Sequence, residues 1–159
     1  MARIPAPLPG IRGLYAFRPA TAPALQQLSD VLLKGPNSLT HGERELIVTY
    51  VSALNDCAFC RTRHGARAAA HLGGNGELVR RVTLDYANAD ISRKLKALLA
   101  IAGKVQQSGK QVSDADVAAA RVQGATDLEI HDTVLIAAAF CMYNRYVDAL
   151  DVSDPDNAA

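Results

Sequence analysis

Residues 43–64 read ERELIVTYVSALNDCAFCRTRH, and they hold two of the chain's three cysteines and one of its four histidines. Apolar residues dominate positions 46–54, and an Asn-Asp pair then interrupts them. The pattern predicts two helices joined by a turn, the second beginning with Asp56 as its N-cap. On that helix Cys57 is the first residue and Cys60 the fourth. Both share a face with His64, because spacings of three and four align on a helix.

The start of this second helix is a place where a thiol can become reactive. The helix N-terminus favours negative charge, and the arginines that follow, with a protonated His64, add positive potential. These conditions lower the pKa of a thiol, and a neighbouring thiol can then resolve an oxidised partner as a disulfide. A redox-active dithiol is therefore favoured over two alternatives that stay open, a metal site and a pair of inert thiols. A structural zinc site normally needs four ligands, and His71 lies about 16 Å along the helix from Cys60, too far to share an ion.

Glu45 stands out in the preceding helix. Thr40 and Glu43 form a capping-box pattern, so Glu43 has a local structural role and Glu45 does not. Glu45 aligns with Thr49 and Ser52 in a narrow polar track that leads toward the first cysteine. A carboxylate in a largely buried helix must find a partner or take up a proton. Either a proton relay to a thiol or imidazole, or a purely structural pair with an arginine, would meet that requirement.

The rest of the chain predicts more helices and no strand, because no segment alternates polar and apolar residues over the length of a strand. Capping boxes recur as SDAD at 113–116 and TDLE at 126–129. We expect a single all-α domain over residues 21–150 with about six to seven helices, an extended N-terminal arm at 1–20 and a flexible tail at 151–159. The expected helices cover about 21–34, 40–54, 56–72, 77–85, 92–107, a short segment from 113, and 126–150.

Length, charge and cysteine count limit the classes of function that the protein can have. The 159 residues suit one domain, and the formal net charge of +1 favours neither a nucleic acid nor an anionic membrane as partner. The longest apolar run, 134–143, is too short to span a membrane. Three cysteines are an odd set, which favours a reducing, cytoplasmic compartment, and Cys141 in an apolar run is typical of a small buried hydrophobe. No GxGxxG motif is present, so we expect no nicotinamide, flavin or other cofactor.

The spacing of Glu45, eleven residues, Cys57-x-x-Cys60, three residues and His64 resembles a known family. It is similar to the alkylhydroperoxidase AhpD-like core of the carboxymuconolactone decarboxylase superfamily, in its peroxidase-related branch. The stretches LDYANADISRKLKALLAIAGK at 84–104 and FCMYNRYVDAL at 140–150 fit as well, so the resemblance covers roughly residues 39–150. It implies an all-α AhpD-like fold, a homo-trimer or homo-hexamer, and thiol-dependent reduction of a peroxide, with a dithiol or protein as reductant.

Carried over residue by residue, the resemblance assigns catalytic roles to four side chains. Cys60 matches the cysteine that attacks the peroxide, and Cys57 the one that closes the disulfide and meets the reductant. Glu45 and His64 match the proton-relay pair, and no metal is implied. The family's namesake has a second histidine between its cysteines, where this chain has Phe59. Two other readings stay open: a non-enzymatic redox-sensing or interaction module, and, less expected because true decarboxylases lack the cysteine pair, a decarboxylase.

Overall fold

The computed structural model describes residues 3–152, and eight α-helices account for most of that range. No strand occurs among these residues, which confirms the all-α class, although eight helices exceed the six to seven expected. A short 3-10 turn, Gly109–Gln111, precedes the seventh helix. The helices are α1 Ile11–Phe17, α2 Ala22–Lys34, α3 His41–Leu54, α4 Ala58–His71, α5 Gly76–Asp85, α6 Arg93–Gln107, α7 Asp114–Val122 and α8 Asp127–Ala149.

The additional helix is α1, which lies within the segment expected to be an extended arm. The prolines that suggested an extended backbone lie on either side of the helix, three up to Pro9 and one at Pro19. Gly10 precedes the helix as its N-cap with a φ of 68°, a value that glycine adopts at no steric cost. Seven residues are too few for a helix to be stable alone. Leu14 is fully buried, so tertiary packing stabilises α1 in a way that local sequence does not reveal. The predicted domain boundaries at residues 20 and 150 stay predictions.

The predicted start signals of the other helices are largely present. Thr40, Ser113 and Thr126 each form a capping box with the third residue of their helix, as expected. Ser92 caps α6 by accepting a hydrogen bond from the backbone N–H of Leu95. Local capping chemistry was therefore a reliable guide to where these helices begin.

Helix α3 lies at the centre of the bundle. It packs against α2, α4, α5, α6 and α8, and ten of its residues are buried. A helix surrounded in this way buries its polar side chains together with its apolar ones. The position of α3 therefore brings Glu45 into the interior, where it is 6 % exposed.

The turn between α3 and α4 differs from the expected N-cap at Asp56. Asp56 adopts a left-handed conformation with a φ of 55°. Its N–H donates to the carbonyl of Ala53, and the N–H of Cys57 donates to that of Ser52, which is the pattern of a Schellman motif that ends α3. Because Asp56 completes the end of α3, the N-cap of α4 moves to Cys57, and Cys60 becomes the third helical residue.

A second Schellman motif ends α8. Asp151 has a φ of 53°, and the N–H of Val152 donates to the carbonyl of Val147. Residues 151 and 152 complete this motif. The rest of the predicted flexible tail, 153–159, lies outside the described residues, and the tail stays a prediction. Within 3–152, no helix is both long and apolar enough to cross a membrane.

Candidate active site

Packing of α4 against α3 brings Glu45 and His64 together across 19 positions of sequence. Glu45 Oε2 lies 2.6 Å from His64 Nδ1, and the two side chains are 8 % and 11 % exposed. The ring of His64 meets Phe140 of α8 edge to face, with centroids 4.8 Å apart. A carboxylate on Nδ1 sets the tautomer and orientation of an imidazole, which leaves Nε2 as its second exchangeable position. The arginine partner considered for Glu45 is not what the structure shows.

The two thiols of the CxxC motif are adjacent and have different environments. All three cysteines of the chain are free thiols in this structure. A hydrogen bond from the Cys57 thiol lowers the pKa of Cys60, and the position of Cys60 in the first turn of α4 adds the helix dipole to that effect. The same hydrogen bond, together with burial, raises the pKa of Cys57. Of the two thiols, Cys60 therefore ionises more readily, with Cys57 as its hydrogen-bond donor.

Asn144 on α8 is a second donor to Cys60, and the sequence analysis did not assign it to the site. A hydrogen bond from its amide also lowers the pKa of Cys60. The amide is fully buried and held on both sides: Nδ2 donates to Ser52 Oγ at 3.1 Å, and Oδ1 accepts from Asn55 Nδ2 at 2.8 Å. Its position as a polar residue within an apolar helix was the available signal. Nothing in the local sequence indicates that α8 places it beside Cys60.

The predicted polar track along α3 is buried but does not form a continuous path. Thr49 Oγ1 donates to the carbonyl of Glu45 on its own helix at 2.7 Å, and Ser52 accepts from Asn144. Asp56, at the end of the track, is exposed. Glu45 therefore contacts His64 on α4, the helix that carries Cys60, and makes no continuous path along α3.

A cavity of about 880 Å³ opens beside these residues. Glu45, Cys60 and His64 line it, whereas Cys57 does not. Cys57 is fully buried, in an apolar cluster with Leu14 of α1 and residues of the C-terminal end of α8. A small molecule in the cavity therefore meets Cys60, with Cys57 behind it.

Of the other residues that could carry chemistry, His71 and Cys141 were considered from sequence, and His41 lies beside His71. His41 and His71 are exposed, with ring centroids 5.4 Å apart, and both line the far part of the cavity. Cys141 is half-buried, not fully buried as expected, and accepts a long hydrogen bond of 3.5 Å from Asn55. Across residues 3–152, no group of three or more His, Cys, Asp or Glu side chains is placed to hold a metal ion.

The fold and the site together define a class: helical proteins in which a CxxC dithiol at a helix start lies beside a buried histidine–carboxylate pair. Comparison with known proteins agrees. Residues 19–84 match the model of the carboxymuconolactone decarboxylase family. The chain belongs to this superfamily, to its AhpD-like core.

Solved structures extend the similarity over nearly the whole chain. An alkylhydroperoxidase AhpD core structure, an uncharacterized peroxidase-related protein from Ralstonia eutropha, is 32 % identical with a TM-score of 0.87, covering 94 % of this chain and 78 % of that one. An uncharacterized peroxidase-related protein from a Silicibacter species is 26 % identical with a TM-score of 0.85, covering 92 % and 76 %. A protein of unknown function from Agrobacterium tumefaciens shares the fold, at 20 % identity and a TM-score of 0.78, covering 98 % and 99 %. No curated protein matches the chain.

Proposed function

We propose that the protein is a thiol-dependent peroxidase that reduces peroxides through a cycle between the Cys57/Cys60 dithiol and its disulfide. One observation carries the proposal: the cavity reaches Cys60, His64 and Glu45 together and leaves Cys57 behind them. The two thiols therefore suit two successive roles. The similarity of the chain to two solved structures described as peroxidase-related proteins supports the same assignment.

In the first step, the Cys60 thiolate attacks the terminal, hydrogen-bearing oxygen of the hydroperoxide, and the O–O bond breaks. The sulfur becomes a sulfenic acid, and the leaving alkoxide takes a proton to become an alcohol. His64 is the proton donor, directly or through a water molecule, and Glu45 at 2.6 Å stabilises and orients its ring. Phe59 occupies the place of the second histidine, so this chain has a single histidine in the relay.

In the second step, the Cys57 sulfur attacks the Cys60 sulfenic acid. The S–O bond breaks, water leaves and a disulfide forms. Because a hydrogen bond already joins the two thiols, little movement is needed. A dithiol reductant then reduces the disulfide and is itself oxidised to a disulfide.

A redox switch is the second candidate, and the burial of Cys57 favours it. A fully buried Cys57 offers no direct approach to a large protein reductant. A switch would oxidise once and stay oxidised, whereas an enzyme cycles.

The test is consumption of peroxide in the presence of a small dithiol, measured for the wild type and for Cys60→Ser, Cys57→Ser and Cys141→Ser. We expect many turnovers per molecule for the wild type and the Cys141 control, and loss of turnover in the other two. Consumption that stops at one equivalent of peroxide would identify a switch. Full turnover by Cys60→Ser would remove the dithiol from the chemistry.

A further inference from the structure

The cavity beside Cys60 is much larger than hydrogen peroxide requires. At about 880 Å³ it lies in the range of pockets that enclose drug-sized organic ligands, about 300–1,000 Å³. Its wall includes two phenylalanines, Phe59 and Phe140, two tyrosines, Tyr15 and Tyr143, and Ile11. Aromatic and aliphatic walls of this kind favour an organic body over a small polar oxidant.

Positive charge outweighs negative charge on the same wall. The two carboxylates that line the cavity are already paired: Glu45 with His64, and Asp30 with Lys34 at 2.7 Å. Arg12 of α1 and Arg67 of α4 also line the cavity, and neither contacts a carboxylate among residues 3–152. Two cations without such a partner make the cavity attractive to an anion.

The spacing along α4 places Arg67 about two helical turns from the reactive sulfur. Cys60 and Arg67 are seven residues apart on the cavity-facing side of the helix, which is about 10 Å between their backbones. Between them, Arg63 lies over the ring of Phe59, with 5.9 Å from its guanidinium carbon to the ring centroid. His64 lies between Cys60 and Arg67 on α4, and its ring meets that of Phe140 on the cavity wall. A ligand with one end at the sulfur would therefore pass this ring pair before its other end met Arg67.

We propose that the substrate is an organic hydroperoxide with an apolar body and a carboxylate at the end remote from the peroxide. This rests on the peroxidase function proposed above. The hydroperoxide is reduced at Cys60 to the corresponding alcohol, with the same balance of atoms and electrons as before. The carboxylate is unchanged, and it is bound by Arg67 and Arg12 through charge-assisted hydrogen bonds.

A matched set of probes tests this: cumene hydroperoxide, its para-carboxylate derivative and the methyl ester of that derivative. The three share one hydroperoxide and one aromatic body, and only the carboxylate is charged. We expect the wild type to have a kcat/KM at least about 5-fold higher for the carboxylate than for the ester, since exposed charge pairs contribute up to about 1 kcal/mol each. Raising the salt concentration to 0.5 M is expected to reduce that ratio, because salt screens exposed charges.

Variants then assign the effect to the named arginines. Arg67→Gln is expected to lower the ratio of carboxylate to ester by about 2- to 5-fold, and Arg67→Gln with Arg12→Gln to bring it near unity. Arg61→Gln is the matched control: it removes the same charge from the same helix, one position after Cys60, at an exposed residue that does not line the cavity. That variant is expected to keep the wild-type ratio.

The outcomes separate this inference from the function on which it rests. If the wild type reduces the ester and the carboxylate equally well, the substrate class is wrong and the peroxidase function stands. If Arg61→Gln lowers the preference for the carboxylate as much as Arg67→Gln does, the preference reflects overall charge, and the assignment to Arg67 is wrong. If none of the three peroxides is reduced, the peroxidase proposal fails, and this inference fails with it.

Discussion

Two glutamates two positions apart in α3 provide a sharp test of the proton relay. Glu43 completes the capping box: its Oε2 accepts from the N–H of Thr40 at 2.8 Å. Glu45 instead contacts His64 in the interior. Replacing each with glutamine keeps its shape and one acceptor oxygen but removes its charge. We expect Glu45→Gln to lower peroxide turnover by about 10²-fold or more, the usual scale for losing a positioned acid–base group, and Glu43→Gln to leave it within about 2-fold.

Stability is expected to change little in both variants. In Glu45→Gln, the hydrogen bond to His64 loses its charge assistance, worth about 1 kcal/mol, and the smaller desolvation cost of an amide offsets part of that. In Glu43→Gln, the loss of a negative charge from the first turn of α3 costs about 0.3–1 kcal/mol. For a chain of this size, 1 kcal/mol corresponds to about 2–4 °C in Tm. The two variants should therefore be alike in Tm and differ about 100-fold in turnover.

The assay is steady-state peroxide consumption with a dithiol, normalised to folded protein, with Tm measured on the same samples. The double variant of Glu45→Gln and His64→Asn adds a check: if the pair acts as a unit, it should be little worse than His64→Asn alone. If Glu45→Gln retains turnover within about 3-fold of the wild type, Glu45 has no part in the mechanism. A fall in Tm with unchanged turnover per folded molecule would make its role structural.

Further predictions concern the dithiol, the turn, the cover over Cys57 and the assembly. Because the lowered pKa of Cys60 depends first on the Cys57 donor, its thiolate should form at a lower pH than that of an ordinary free cysteine. The pH at which half of Cys60 is ionised should rise more in Cys57→Ala than in Cys57→Ser, because serine keeps a hydrogen-bond donor. Ultraviolet absorbance of the thiolate measures this pH, and equal values in the two variants would contradict the assignment. Asp56 has a left-handed backbone conformation, so Asp56→Gly should match or exceed the wild type in free energy of unfolding. Asp56→Ala should lose about 1 kcal/mol, because alanine has a Cβ and no side-chain hydrogen bond to offset the strain of that conformation. Leu14 of α1 packs in the same cluster as Cys57, so Leu14→Ala should speed alkylation of Cys57 in the folded protein. Leu33→Ala removes a buried leucine of the main core and should not. Mass spectrometry measures both rates, and equal rates would show that α1 does not shield Cys57. Light scattering at micromolar concentration should find a homo-trimer or homo-hexamer, and monomer alone would refute that prediction.

Much of the fold was accessible from sequence because it depends on local chemistry. Capping boxes at Thr40, Ser113 and Thr126 satisfy backbone donors within four residues, so they can be recognised without knowing the rest of the structure. Helix α1 was missed for the opposite reason. Its stability comes from Leu14 packing against residues far away in sequence, and proline content suggested an extended arm.

The candidate site likewise has some features that local sequence predicts and others that depend on tertiary packing. Local pattern predicted correctly that Cys57 and Cys60 lie at the start of the helix that carries His64, and that Glu45 is a carboxylate in a largely buried helix, in need of a partner. Three features of the site came from tertiary packing: His64 as the partner of Glu45, the hydrogen bond from Asn144 of α8 to Cys60, and a cavity that reaches Cys60 and not Cys57. The difference lies in the range of the interactions. Helical periodicity and capping act over one or two turns, whereas the shape of a cavity and the hydrogen bonds between helices depend on how distant residues pack together, such as Ser52 and Asn144, 92 positions apart.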